Sequence, residues 1–472
     1  MRLINIDDFL RREWLIHLRA HVDCPTKVLE FSDDETAEYA ILSHRWIDPT
    51  EIDYEEMVDL GKMDRQQQDE IRGRQGYKKI LDACKQAQTD GYEWMWVDTC
   101  CIDKRSSAEL SEAINSMYRW YGNARVCYAY LHDVDGSFPT EEDDEKYPKS
   151  NGWPEWFSRG WTLQEMIAPQ NLQFFNKDWQ PIGNKNRLAE TLEEITGVPQ
   201  HILADGLEGN RPCVAQIIMW AANRTTTRVE DKAYSLMGLL DVNMPMLYGE
   251  GKKAFHRLQL EIIRSSNDQS IFARGIESSR VRIGSILADD PSDFEDCSGM
   301  RLMDRDGFIE KFPELSSTNA DHFDVFPITN RGIQIWMLLH RYRNSHSVFK
   351  AYLPCWNADG DSVSIDLSCA RPITIDVRQV GLVPLMIPLQ SSAKCTSDIN
   401  AHRTTRSHSI SMTVDSSRMD SPAPMWTQRT SKETRSHSPM LTPSVSKPIA
   451  KNKVTTVLKS SLDNGWAWTG CT

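Results

Sequence analysis

The feature that most restricts the fold is an apolar run that ends abruptly in polar residues and gives way to a helical stretch, an alternation repeated through roughly the first 180 residues. The first run, Glu38-Tyr39-Ala40-Ile41-Leu42-Ser43-His44-Arg45-Trp46, reads as a buried parallel strand opening onto a loop. A strand covered on both faces is continuously apolar rather than alternating. Tyr77, Ile80, Leu81 and Cys84 then recur at helical spacing, and Gly91 stands where a stop is expected. Trp94 to Asp98 supplies a second strand, with Thr99 to Lys104 as the loop leaving it. Ser106 and Glu109 predict a capping box ahead of a stripe formed by Leu110, Ile114, Met117, Tyr118 and Tyr121. Arg125 to Leu131 is the third strand, Trp161 to Ala168 a short helix and Leu172 to Phe175 the fourth strand. Right-handed crossovers between such strands place helices on both faces of a parallel sheet, so the expected fold class is α/β, flavodoxin-like. Ser43-His44-Arg45 and Asp98 to Asp103 then fall at the carboxyl edge, where open α/β sheets receive ligands.

The texture changes further along. Residues 188–271 read as successive helices, for example 214–222, 230–240 and 252–264, with Phe255, Leu258 and Ile262 on one face of the last. Beyond Gly284, Ile333, Ile335, Met337 and Leu339 alternate, and short β-rich runs follow at 348–353, 363–367 and 373–377. From Ser391 the chain is rich in Ser, Thr, Pro and Arg and has little to bury, which predicts disorder. The expected organisation is therefore an α/β domain at 1–180, a helical extension at 181–275, a small β-rich domain at 276–390 and a tail at 391–472. Over 391–453 there are ten Lys or Arg against four Asp or Glu, a net of +6, so with a formal total of −13 the rest of the chain carries −19. A phosphorylation-tuned arm and a plain solvated linker both fit the tail.

That acidity argues against a general nucleic-acid or anionic-membrane binder, which needs a basic face. The opening residues break their apolar run with Asp7 and Asp8, unlike a secretory leader. No stretch approaches a membrane helix, and the best candidate, 381–389, carries two prolines. Eleven scattered cysteines without a Cys-x-x-Cys pair suggest buried free thiols in a reducing compartment, and a cytoplasmic location is expected. No Gly-x-Gly-x-x-Gly or Walker-type Gly-Lys-Ser/Thr occurs, which removes dehydrogenase and P-loop readings. His44, His132 and the Asp98/Asp103 pair lack metal-ligand spacing. Cys100 or Cys101 with His44 offers a thiol–imidazole pair, set against the ordinary reading of inert packing thiols.

Four separated blocks, Tyr39 to Trp46, Trp96 to Lys104, Glu109 to Tyr118 and Arg159-Gly160-Trp161-Thr162-Leu163-Gln164-Glu165, resemble in order the fungal heterokaryon incompatibility (HET) domain. Arg224-Thr225-Thr226, Val229 to Leu236 and Leu247 to Gly251 resemble the usual continuation in that family. The resemblance implies a role in non-self recognition and cell death, with self-association or other signalling proteins as partners. The HET fold is in turn similar to Toll/interleukin-receptor (TIR) domains, some of which cleave NAD. Ser158 to Glu165 resembles the TIR block that carries a catalytic glutamate, with Thr162 where that block often has cysteine. Carried over, Glu165 is the candidate catalytic residue. Ser43, Arg45, Asp98, Asp103 and Trp161 are candidates for binding NAD as substrate, through ribose hydrogen bonds, phosphate pairing and ring stacking. One carboxylate suffices in principle, because the nicotinamide leaves as a neutral pyridine and needs no general acid. The same block also reads as a tryptophan core anchor beside a solvated or capping carboxylate, so a non-catalytic, self-associating adaptor is the alternative.

Overall fold

A computed structural model describes residues 1–20, 27–47, 49–209, 211–275, 286–313, 326–330, 332–342, 345, 347–368 and 380–387. The tail at 391–472 and the expected β-run at 373–377 lie outside the described residues.

The four anticipated strands form the centre of a seven-stranded sheet: β3 (Tyr39–His44), β4 (Trp94–Trp96), β5 (Val126–Tyr130) and β6 (Leu172–Phe175). They run parallel in the order β4-β3-β5-β6, with Ile41 level with Trp96 on one side and Cys127 on the other, and Ala129 level with Phe174. All six residues of β3 are buried, as its unbroken apolar run requires. Three antiparallel strands that the sequence did not announce finish the edges. β1 (Arg2–Asn5) pairs β4, β2 (Leu29–Phe31) pairs β1, and β7 (Pro181–Asn184) pairs β6.

Helices cover the sheet. α1 (Ile6–His17) packs against α4 (Gln75–Thr89), and α2 (Tyr54–Asp59) and α3 (Arg65–Gly73) precede α4 in the chain. α4 ends just before Gly91, whose φ of +88° suits a glycine and little else. α5 (Ser107–Asn123) buries Ile114, Met117 and Tyr121 from the expected stripe, together with Trp120. Its predicted capping box is only half made. The Ser106 hydroxyl accepts from the Glu109 N–H (3.3 Å), but the Glu109 carboxylate accepts instead from the Asp103 N–H (2.9 Å) and from Arg2. The Arg2 guanidinium draws that carboxylate away from the cap's own N–H, and the Asp103 N–H completes its coordination there. α6 (Thr162–Ile167) carries Glu165 toward β3.

α7 (Ala189–Thr196), α8 (Gln200–Asp205), α9 (Val214–Met219), α10 (Asp231–Tyr234) and α11 (Lys253–Ser265) follow. The helix expected over 230–240 stops after one turn. A Cβ on Gly238 would sit 2.1 Å from the Tyr118 Cβ, so the chain there lies directly against α5 and continues as turns. The second sheet is antiparallel, with β8 (Arg301–Leu302) on β11, the helix α12 (Arg305–Lys311), β9 (Ile328–Thr329) on β10, and β10 (Gly332–Arg341), β11 (Val348–Trp356), β12 (Ser362–Ser368) and β13 (Val380–Ile387) in the order β12-β11-β10-β13. The alternating Ile333, Ile335, Met337 and Leu339 are all fully buried. Leu338, facing the other way, is covered by Met303 and Phe308. Among the described residues no helix is long and apolar enough to cross a membrane.

Candidate functional site

Strand alternation governs the carboxyl edge. Ser43 and His44, adjacent near the end of β3, project to opposite faces of the sheet, so each joins a different set of partners.

Ser43 is fully buried, and its hydroxyl donates to Glu165 Oε2 at 2.5 Å while accepting the Trp156 indole N–H at 2.8 Å. Glu165 is 6 % exposed. The Tyr121 hydroxyl, which donates to the Leu42 carbonyl at 3.1 Å, also lies close to that carboxylate. Burial raises the Glu165 pKa to about 7, with Asp98 adding to the rise, while Ser43, Arg159 and Tyr121 oppose it. A carboxyl moved this far toward neutrality at a sheet edge is a recognised signature of functional sites, and also of tightly packed structural ones.

On the opposite face, His44 Nε2 lies 3.5 Å from Asp98 Oδ1 and 3.8 Å from Glu51 Oε2. Burial holds the imidazole well below its ordinary pKa, and Lys79, Arg159 and Lys104 push the same way, so His44 is neutral. Lys79 is buried and pairs with Glu51 at 2.6 Å. Asp98 accepts the Trp46 indole N–H at 2.7 Å, and burial moves its pKa up against the pull of Lys104. Lys104 in turn sits 3.9 Å over the Trp46 ring. Arg45, just past β3, pairs with Glu155 at 2.7 Å.

The edge thus gathers Ser43, Arg45, Asp98 and Glu165, but two other candidates face elsewhere. Asp103 is held by Arg105 (3.0 Å), which keeps its carboxyl below the usual range, and belongs to the amino-terminal surroundings of α5 with Glu109, Arg2 and Glu55. Trp161 stands near Asp231, where with Tyr248 it opposes the rise that burial gives that carboxyl. Cys100 and Cys101 are buried, and burial pushes the Cys100 thiol well above its ordinary value, which disfavours its thiolate. Among the described residues no group of three or more His, Cys, Asp or Glu side chains is placed to hold a metal ion. An open hollow of about 390 Å³ lined by Arg301, Leu302, Trp356 and Gly360 belongs to the antiparallel sheet and shares no residue with this edge.

Sequence reasoning did not foresee what fixes α6. Thr162 Oγ1 donates into the Trp156 (2.6 Å) and Arg159 (2.9 Å) carbonyls. The buried Arg224 donates to the Arg159 carbonyl (3.0 Å), to Thr162 Oγ1 (3.1 Å) and to the Trp220 carbonyl (3.2 Å). Burial lowers the Arg224 pKa to about 9, and Glu165 opposes that fall. Thr225 bridges back to the same loop: its N–H donates to the Ser158 carbonyl at 2.6 Å, and its carbonyl accepts the Gly160 N–H at 2.9 Å. At the other end of α6, the buried Lys185 donates to the carbonyls of Met166 (3.4 Å), Ile167 (3.3 Å) and Pro169, a cation at a helix carboxyl terminus. The visible signal for Arg224 was its place in the Arg224-Thr225-Thr226 block. Lys185 and Trp156 had none.

Residues 39–151 match the family described as heterokaryon incompatibility protein (HET). The chain is 42 % identical over 240 residues to the vegetative incompatibility protein HET-E-1 of Podospora anserina, an alignment covering 50 % of this chain and 17 % of that protein. The chain therefore spans only a small part of that relative's length. No solved structure matches.

Proposed function

The chain carries a fungal heterokaryon incompatibility domain, and from that premise we propose that it is an incompatibility-type signalling protein whose α/β unit promotes non-self recognition and cell death in the cytoplasm. The similarity to a vegetative incompatibility protein supports this reading. A flavodoxin-like, TIR-like identity for the unit is supported by the parallel order β4-β3-β5-β6, which places the four strands second, first, third and fourth as doubly wound sheets of that type do.

The chemistry we assign to the unit is cleavage of NAD at the nicotinamide–ribose bond. The observation that carries it is the convergence of Ser43 and Glu165 in direct contact, with Arg45 and Asp98 on the same edge. The bond's electron pair leaves with nicotinamide, the ribose carbon becomes cationic, and water adds there and releases a proton to solvent to give ADP-ribose. An ionised Glu165 would stabilise that cation, with Ser43 beside it for a ribose hydroxyl, Asp98 reaching the edge from the other face, and Arg45 able to meet phosphate only by leaving Glu155. Asp103 and Trp161 would support the edge from outside this contact. The 6 % exposure of Glu165 favours a second reading, a self-associating adaptor in which the Ser43–Glu165 bond is purely structural. Incubating the full chain with NAD separates them. Nicotinamide release abolished by Glu165→Ala supports cleavage. Release indifferent to that substitution, or no release even at concentrations where the chain self-associates, refutes it and leaves the adaptor.

A further inference from the structure

We infer that Arg159 is the receiving point for a pyrophosphate-bearing ligand at the carboxyl edge, a role that neither the family resemblance nor the Ser43–Glu165 contact assigns to it. The choice of pyrophosphate rests on the NAD reading above, while the anion-binding character of Arg159 rests on its surroundings.

Every other cation near the edge is engaged. Arg45 pairs with Glu155, Lys79 with Glu51, and Arg105 with Asp103 and Glu55. Lys104 lies on Trp46 and donates to the Thr99 carbonyl at 3.3 Å, and Arg224 is committed to carbonyls and Thr162. Arg159 differs: among the described residues its guanidinium makes no hydrogen bond and no ion pair, and none of its nitrogens belongs to the buried, partnerless atoms, so they reach solvent. Its charge nevertheless bears on Glu165, Asp98, His44 and Lys79, and its backbone stands three residues from Trp156, whose indole reaches Ser43, and directly before the helix that carries Glu165.

The backbone beneath it is rigidly held. The Arg159 carbonyl accepts from Thr162 and Arg224, the residue bridges Thr225, and the flanking Ser158 and Gly160 are hydrogen-bonded to Thr225 as well. A fixed base with an uncommitted five-donor fork suits a phosphate oxygen pair better than a flexible lysine would. The neighbouring acids weaken this attraction less than their number suggests. Glu155 and Glu51 are already paired, and burial moves Asp98 and Glu165 toward their neutral forms.

The test is calorimetric titration of the full chain with ADP-ribose and with inorganic pyrophosphate, comparing wild type, Arg159→Gln, Arg159→Lys and Arg125→Gln. Arg125 is an exposed arginine paired with Glu38 at the amino end of β5. Wild type should bind both probes. Arg159→Gln should weaken both roughly ten- to hundredfold, the span of a lost charge-assisted contact. Arg159→Lys should fall between, since it keeps the charge and loses the fork. Arg125→Gln should bind as wild type, and all four melting temperatures should agree because the substituted guanidinium at 159 supports no contact. The inference is overturned by absence of binding in wild type, by undiminished binding in Arg159→Gln, or by equal loss in Arg125→Gln. Binding that depends on Arg159 without any nicotinamide release leaves the site standing and removes the cleavage reading. Glu165-dependent release with binding indifferent to Arg159 does the reverse.

Discussion

Replacing Glu165 by glutamine should stabilise the protein relative to wild type as pH rises, by an amount that the position of the carboxyl fixes. The group is almost wholly buried, and its folded pKa lies near 7 against an ordinary 4.5, chiefly through burial. A carboxyl with a raised folded pKa keeps its proton more tightly in the native state. Its contribution is therefore fully present below pH 4.5 and is lost as pH climbs through 7. Proton linkage between those two values gives a cost of about 1 kcal/mol at pH 5 and about 3 kcal/mol at pH 8, so the wild type should lose roughly 2–3 kcal/mol across that window on this account alone. The amide of the Glu165→Gln variant does not titrate and still offers an oxygen to the Ser43 hydroxyl. Measuring denaturant midpoints of both proteins at pH 5, 6, 7 and 8, and taking their difference at each pH, cancels every other titrating group. A difference that stays flat within roughly 0.5 kcal/mol would refute the claim that burial holds this carboxyl protonated, and with it the enclosure on which both functional readings depend.

Other substitutions probe the supports of α6. Arg224→Gln should destabilise by about 3 kcal/mol or more, since it strips donors from a buried carbonyl and hydroxyl; thermal melts beside the near-neutral Arg159→Gln would show whether burial or mere charge sets the cost. Gly160→Ala should cost roughly 1–3 kcal/mol, because its Cβ would meet Thr226 Cγ2 at 2.6 Å and Ser235 Oγ at 3.2 Å. In that variant, hydrogen exchange should speed up in α6 more than in α5, and a uniform change in both would count against a local strap. If NAD is cleaved, the rate should rise through pH 7 as Glu165 ionises, and a rate that falls over that range would exclude the carboxylate as the active form.

The central sheet was legible because doubly covered strands cannot alternate: β3 and β5 announce themselves as unbroken apolar runs, and the polar residues after them mark the carboxyl edge. The flanking strands were not legible for the complementary reason. β1, β2 and β7 have three or four residues each, and β7 begins with Pro181, so neither periodicity nor composition separates them from loops. The helix at 230–240 was over-read because its apolar spacing is real, while the constraint that ends it, Gly238 against Tyr118, is a tertiary contact. For the candidate site, topology brings the ends of β3 and β4 to one edge, but Glu165 entered only through the TIR resemblance, and its direct contact with Ser43 is a tertiary feature. Asp103 and Trp161 were drawn in by proximity in sequence, yet each has a stronger local partner, Arg105 and Asp231. Arg159 was passed over because an arginine's importance here lies in what it does not touch, which no pattern in the chain displays.

The placement of Glu165 also bears on what a minimal unit must contain. The matched HET region ends at residue 151, before Trp156, Arg159 and Glu165, and well before Lys185 and Arg224. The helix carrying the carboxylate has six residues, too few to be stable without tertiary support. Its amino-terminal loop is held by Arg224 and Thr225, and its carboxyl end by Lys185, all supplied from later in the chain. The strand that offers Ser43 and the helix that answers it therefore depend on segments on both sides of residue 151. Whatever reaches Glu165 must compete with Ser43 and Trp156 for space that is already filled, and the segment at 224–226 is where the resistance to that displacement resides.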